Sequence, residues 1–284
     1  MSGLLDAASV ERAVQGLQLR VPRGPQRGRS GESRAASAGS SVELHDFRLY
    51  QPGDDLRQVD WNAVARTGDL VLRVRQEEVS PRCEVIVDGS ASMGVTQAKA
   101  RRTRELTYGV CMLAHQAGLE VSLSGTGLEA RRHTSIEVRS ALERLACDER
   151  VPFDVALARL PALRPCGLRI VVSDFLFEVS PVTLVERLAR GASQLVLLQT
   201  LDAEDLEPTV FGGTRLIDSE TLEAADRTLT QKDLELYQQR LRAHAAMWQG
   251  SAARVHGTWV QLSAALELTG LIRGPMSGLV EGTR

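Results

Sequence analysis

The sequence predicts an α/β fold in which a doubly wound, mostly parallel sheet carries an N-terminal extension. Three observations lead there. Short β-branched runs at 83–87 and 168–173 are bounded by small polar residues, which suits strands covered on both faces. Segments of helical spacing alternate with such runs, as in a doubly wound sheet. Both runs also break into an aspartate, Asp88 and Asp174, and the carboxyl ends of parallel strands are where open α/β sheets bind ligands.

Bulk properties narrow the function classes. A chain of 284 residues with 43% hydrophobic and 25% charged content can bury a sizeable core. The net charge of -2 gives no general attraction to nucleic acid or to an anionic membrane, so neither is an expected partner. No apolar stretch approaches the roughly 20 residues of a membrane helix, and the start lacks a basic and apolar leader. A cytoplasmic protein is expected. The four cysteines, Cys83, Cys111, Cys147 and Cys166, are widely spaced and read as reduced core thiols. The five histidines show no metal-ligand spacing, and there is no phosphate-binding G-x-x-x-x-G-K-[ST] loop.

In chain order, residues 6–17 have a thin apolar stripe of Val10, Val14 and Leu17 and predict a short helix. From 20 to 41 the chain is rich in Arg, Gly, Ser and Pro without an interleaved aromatic, so a solvated flexible arm is favoured over a nucleic-acid contact. We therefore expect 1–41 to be a helix and arm, 42–82 a distinct segment with an edge strand, and 83–284 the α/β domain. The 42–82 segment holds Asp46, Arg48, Asp54, Asp55, Arg57, Asp60 and Arg66, with Tyr50, Pro52, Gly53 and Trp61 between them. Pro-Gly suits a tight turn. Interleaved carboxylates and guanidinium groups predict a turn held by charge-assisted hydrogen bonds around a half-buried Trp61, with a docking surface as the other reading. The alternating run 70–76 reads as a half-exposed strand at the sheet's edge.

Further on, 98–117 has helical spacing, 119–123 reads as a strand, and 129–133 as a hairpin strand. Helices are expected at 135–146, at 154–163, and from Pro181 to Arg190 with Ser180 as cap. A strand at 194–200, a helix from the Thr230 cap to Trp248, a strand at 255–260 and a helix at 263–271 complete the chain. Leu234, Tyr237, Leu241 and Trp248 share one helix face, which reads as core.

The chemistry concentrates at Asp88, Ser90 and Ser92. Oxygen ligands from a tight loop suit a hard cation such as Mg²⁺. From the residues alone, a strand-ending Asp88 and a helix-capping Ser90 fit as well.

Asp-x-Ser-x-Ser followed by a later strand-end aspartate resembles the von Willebrand factor A domain, whose metal-ion-dependent adhesion site (MIDAS) also uses a Thr. The stretch 45–62, with Arg48, Tyr50, Pro52, Gly53, Asp54, Asp55, Arg57, Asp60 and Trp61, resembles the hallmark of the bacterial domain of unknown function (DUF) family fifty-eight, which precedes a von Willebrand A-like core. The segment 213–221 resembles that family's Leu-x-Asp-x-Glu-Thr pattern. The resemblance implies a metal shell of Asp88, Ser90, Ser92 and Asp174. It also implies a protein-binding adaptor rather than an enzyme, working with a MoxR-type AAA+ ATPase and other von Willebrand A proteins. One departure concerns the third-loop Thr, whose place reads Phe153, with Thr126 and Thr134 in a different loop. The alternative is a serine hydrolase using Ser90 or Ser92 with Asp174 and His244 or His256. The chain order suits it, but the G-x-S-x-G elbow is missing.

Overall fold

A computed structural model describes residues 5–21, 44–50, 59, 61–75, 82–129 and 131–283. Its elements in order begin with α1 (Ala7–Val14), capped by the Asp6 carboxylate, and β1 (Leu17–Leu19). Next come β2 (Leu44–Leu49), α2 (Trp61–Thr67) and β3 (Val71–Arg75). β4 (Arg82–Val87) leads through a 3-10 turn, Ala91–Gly94, into α3 (Gln97–Gln116), whose cap is Thr96. Then follow β5 (Glu120–Gly125), β6 (His133–Thr134), α4 (Val138–Arg144), α5 (Phe153–Ala156) and β7 (Cys166–Ser173). α6 (Pro181–Ala189), β8 (Ala192–Leu201) and α7 (Ala203–Leu206) precede a ribbon of β9 (Gly212–Ile217) and β10 (Ala224–Leu229). α8 (Gln231–Arg254), β11 (Thr258–Ser263), α9 (Leu268–Arg273) and β12 (Val280–Gly282) end the chain.

The described residues fall into two compact units, one from Met1–Arg27 with Pro81–Arg284 and one from Gly28–Ser80. The larger unit is a mixed α/β structure around a six-stranded sheet ordered β11-β8-β7-β4-β5-β6. Every pairing in it is parallel except β5 with the short edge strand β6. Alternate side chains feed two cores. Val85, Val87, Ile170, Val172, Val196 and Leu198 join α1, α3, α4 and α9 on one face. Ile86, Val171, Leu195 and Leu197 join Phe153, Leu184, Leu188 and Trp248 on the other. The strands are apolar at successive positions because both faces are covered.

On the second face, a charged pair interrupts the apolar pattern. Glu84 on β4 and Arg169 on β7 are register partners, and Arg169 Nε donates to Glu84 Oε2 at 2.8 Å. Arg169 is fully buried and also donates to the carbonyls of Arg164, Leu188 and Arg190. Arg132 lies 3.5 Å from the other Glu84 oxygen. The strand ends are thus tied to the loops before β7 and after α6.

The smaller unit differs from expectation. The alternating strand β3 is not at the edge of the main sheet; it pairs antiparallel with β2 in a two-stranded sheet of its own. Alternation marks a half-exposed strand but not the sheet it joins. Tyr50 N donates to Leu70 O at 2.8 Å and extends this ribbon. Trp61 opens α2 and is 62% exposed, so it is not the half-buried centre of a stapled turn. Pro52, Gly53, Asp54, Asp55, Arg57 and Asp60 lie outside the described residues, as does most of the basic arm.

Several boundaries also move. The helix expected over 154–163 is the single turn α5, because Pro161 and Pro165 lack a backbone donor and restrict the residues before them. The strand expected at 129–133 shrinks to β6, and Ser180 precedes α6 without a side-chain cap bond. α8 runs past Trp248 to Arg254, and its start is a capping box of Thr230 and Asp233. Tyr237, placed in the core with Leu234 and Leu241, is 37% exposed and donates to Asp205 O at 2.7 Å.

Candidate metal and partner-binding site

β4 and β7 are neighbours, so their carboxyl ends deliver Asp88 and Asp174 side by side. The β4 strand bonding continues one residue, with Asp88 N donating to Val172 O at 2.8 Å. The chain then turns sharply, and the turn is stitched to two other loops. Gly89 N donates to Thr126 Oγ1 at 2.7 Å, Ala91 N to Glu149 O at 2.8 Å, and Glu149 N to Gly89 O at 3.2 Å. This close approach needs glycine. A Cβ on Gly89 would run into the Thr126 carbonyl oxygen and lie 2.7 Å from Leu145 Cδ1. We expect Gly89→Ala to cost about 2 kcal/mol in denaturant unfolding, as overpacking against backbone does; an unchanged midpoint would contradict this packing.

Asp88 is fully buried, and three donors hold its carboxyl. Oδ1 accepts from Ser90 N at 2.9 Å and from Thr126 Oγ1 at 3.3 Å, and Oδ2 accepts from Ser173 Oγ at 2.6 Å. Burial, and then the neighbouring Asp174, push its pKa up to about 6 against the pull of those bonds. Ser90 is buried, Ser92 is half-buried, and their hydroxyl oxygens stand 3.0 Å apart.

Asp174 is also buried, but it already has a cation. Lys99, from the first turn of α3, places Nζ 2.9 Å from Asp174 Oδ2 and 3.0 Å from Asp205 Oδ2. Burial would lower the lysine pKa, but the two carboxylates outweigh it and hold the ammonium above its ordinary value. Asp174 Oδ1 accepts from Leu176 N at 3.1 Å. Phe175 takes a left-handed backbone (φ 53°) that turns its ring into the aromatic core beside Trp248.

The tip of the β9–β10 ribbon adds a further acid. Glu220 is partly covered although the strands behind it are largely exposed, and Asp218 shapes the turn by accepting from Glu220 N and Thr221 N. Its carboxyl rises to about 7 through burial and then through Asp88, Asp174, Asp218 and Asp154.

The structure therefore brings Asp88, Ser90, Ser92 and Asp174 together, and adds Thr126, Ser173, Lys99 and Glu220, which the sequence reading did not place in the site. Thr126 was set aside as belonging to another loop, yet β5 is the parallel neighbour of β4 and its end reaches Asp88. Phe153, at the expected Thr position, packs in the aromatic core against Phe177. Lys99 had no sequence signal, since a lysine in a helix ordinarily marks a solvated face. For Glu220 the Asp-x-Glu-Thr pattern was a signal without a location.

Comparison with known proteins fits this arrangement into a family. A family model described as "Protein of unknown function DUF58" matches residues 46–247. The chain belongs to the DUF58 family. The DUF58 match begins in β2 and ends within α8, so it contains every residue of the site. Among curated proteins, "Uncharacterized protein Rv1480" of Mycobacterium tuberculosis (strain ATCC 25618 / H37Rv) is 24% identical over 239 residues, covering 78% of this DUF58 chain and 74% of the relative. "Uncharacterized protein Mb1516" of Mycobacterium bovis matches with the same figures. Among solved structures, the conserved hypothetical protein BatB from Bacteroides thetaiotaomicron aligns with a TM-score of 0.39 at 13% identity, over 70% of this chain and 98% of that one. An aerotolerance-related membrane protein from Bacteroides fragilis NCTC 9343 aligns with a TM-score of 0.38 at 13% identity, over 70% of this chain and all of the other. Among the described residues, no helix is long and apolar enough to cross a membrane.

Proposed function

We propose that this DUF58 protein is a non-enzymatic binding adaptor with a von Willebrand A-like core, whose Asp88 loop takes a divalent cation of the Mg²⁺ class and through it a partner's carboxylate. The observation that carries this reading is the buried Asp88 carboxylate, held by neutral donors alone, with the Ser90 and Ser92 hydroxyls on the same loop. Adjacent ligands of an octahedral Mg²⁺, at about 2.0–2.1 Å from the metal, stand about 3 Å apart. Ser90 Oγ and Ser92 Oγ share a hydrogen bond of 3.0 Å, so two neighbouring ligands already stand at that separation, beside a buried carboxylate that has no cation of its own among the described residues. The donor set, one carboxylate and hydroxyls without sulfur or imidazole, is the chemistry a hard cation prefers.

A bound cation would supply an open coordination position for an acidic side chain of a partner. The chain's own residues would do the rest: Asp88, Ser90 and Ser92 hold the ion, and Thr126 and Ser173 fix the Asp88 carboxyl. Exposed Val95, Val155 and Leu176 lie in segments next to the site and offer apolar contact around a charged centre, as interface cores and anchors do. A MoxR-type AAA+ ATPase working with other von Willebrand A proteins in the cytoplasm is the partner this reading favours.

The hydrolase alternative gains no support from the histidines. His244 Nε2 lies 2.7 Å from the Phe175 carbonyl and 2.9 Å from the Trp248 indole nitrogen. His256 precedes β11, at the opposite end of the parallel sheet from Ser90 and Ser92.

Calorimetric titration with Mg²⁺ and Mn²⁺ tests the proposal. Saturable binding is expected in the wild type and its loss in Asp88→Ala. A folded wild type that binds neither ion would sink the reading.

A further inference from the structure

Lys99 is a feature of the site that the adaptor reading leaves unused. Its ammonium sits in the first turn of α3, where the helix macrodipole disfavours a positive charge. It is also 2% exposed, in a position where a lysine is costly unless paired. Local helix stability therefore does not account for it. What it touches does: Asp174 at 2.9 Å and Asp205 at 3.0 Å, each carboxylate using Oδ2. The second oxygen of Asp174 is taken by Leu176 N, and Asp205 Oδ2 also accepts from Asp202 N at 2.9 Å. Both oxygens of Asp174 are thus engaged by protein donors. Asp88, in contrast, has only neutral donors: one backbone N–H and two hydroxyls.

Resting on the cation-binding reading above, we propose that Lys99 is a resident cation that withdraws Asp174 from the metal shell. The diffusible ion is then left to Asp88, Ser90 and Ser92. Cation affinity in such sites follows the number of charged ligands, so Lys99 sets the affinity low and keeps the site exchangeable. Through Asp205 the same ammonium joins α3 to α7. That link continues to α8, because Tyr237 donates to Asp205 O.

The test is a mutant cycle read by Mn²⁺ titration calorimetry, with circular dichroism to confirm folding. Asp174→Asn should change Mn²⁺ affinity less than about threefold. Lys99→Met, which frees Asp174, should raise it about tenfold or more. The double variant Lys99→Met/Asp174→Asn should return to near the wild-type value. A loss of tenfold or more in Asp174→Asn, or no gain in a folded Lys99→Met, overturns the proposal. Should Lys99→Met fail to fold, Asp174→Asn decides alone. A wild type without Mn²⁺ binding would defeat the preceding reading separately. In that case, binding gained in Lys99→Met and lost in the double variant still supports Lys99 as the resident cation, and no binding in any of these proteins overturns it.

Discussion

Glutamine in place of Glu84 is expected to lower the unfolding free energy by about 3–5 kcal/mol, as the loss of one partner of a buried ion pair does. The cost comes from what stays behind. Arg169 has no exposed surface, its Nε bond to Glu84 is 2.8 Å long, and three of its other N–H groups donate to backbone carbonyls. Without the carboxylate, a guanidinium is left buried with neutral acceptors only. Arg169→Met should cost more still, because it strips those carbonyls of their donor and leaves Glu84 with only the longer Arg132 contact of 3.5 Å. Guanidinium denaturation of both variants checks the order and the size. A loss under about 1 kcal/mol for Glu84→Gln would mean that water reaches the pair. Few other single changes outside the site are expected to weigh as much, since this pair holds adjacent central strands.

Acidification is expected to increase the contribution of Asp88 to the stability of the metal-free protein. Asp88 is held at about 6 in the folded protein, from an ordinary 3.8, by burial and Asp174. A carboxyl raised on folding binds more protons in the folded than in the unfolded state. Its contribution is complete below about pH 4 and is lost as the pH rises through about 6. For Asp88 this amounts to about 3 kcal/mol. Glu220, raised to about 7, acts in the same direction but is partly in water, so its share is smaller. The difference in unfolding free energy between wild type and Asp88→Asn, followed from pH 4 to 8 in chelator, isolates the effect. It should shift in favour of the asparagine variant as the pH rises, and a flat difference would contradict the burial of a charge at this position. Cation binding has the opposite sign. It needs the ionised carboxylate, so Mn²⁺ affinity should fall about tenfold per pH unit below about 6. Stabilisation by Mn²⁺ should therefore be large at pH 7.5 and small at pH 5.

The centre of the fold was readable because its physics is local. Residues 83–87 of β4 and 168–172 of β7 are apolar apart from Glu84 and Arg169, and each strand runs directly into an oxygen-bearing loop. The Thr230 cap was equally plain, and Asp233 completes its box. What was not readable depends on neighbours far along the chain. Thr126 belongs to the site only because β5 pairs with β4, and Lys99 only because α3 lies over the end of β7. The β9–β10 ribbon is largely exposed on both faces, so burial imposes no alternation on its sequence. Phe153 was read against a pattern whose Thr position this chain gives to its aromatic core, while a hydroxyl from the adjacent strand stands on the aspartate.

The pairing of β1 with β12 joins Leu17 to Gly282, and Gln18 donates to Glu281 across a sequence separation of 263 residues. During translation, at about 5–20 residues per second, β1 waits roughly 13–50 s for its partner strand. Val10 and Val14 of α1, which end up buried against α3, can dock earlier, but the strand after them stays open until β12 is made. Final closure of this unit therefore waits for residues 280–282, which act as its clasp.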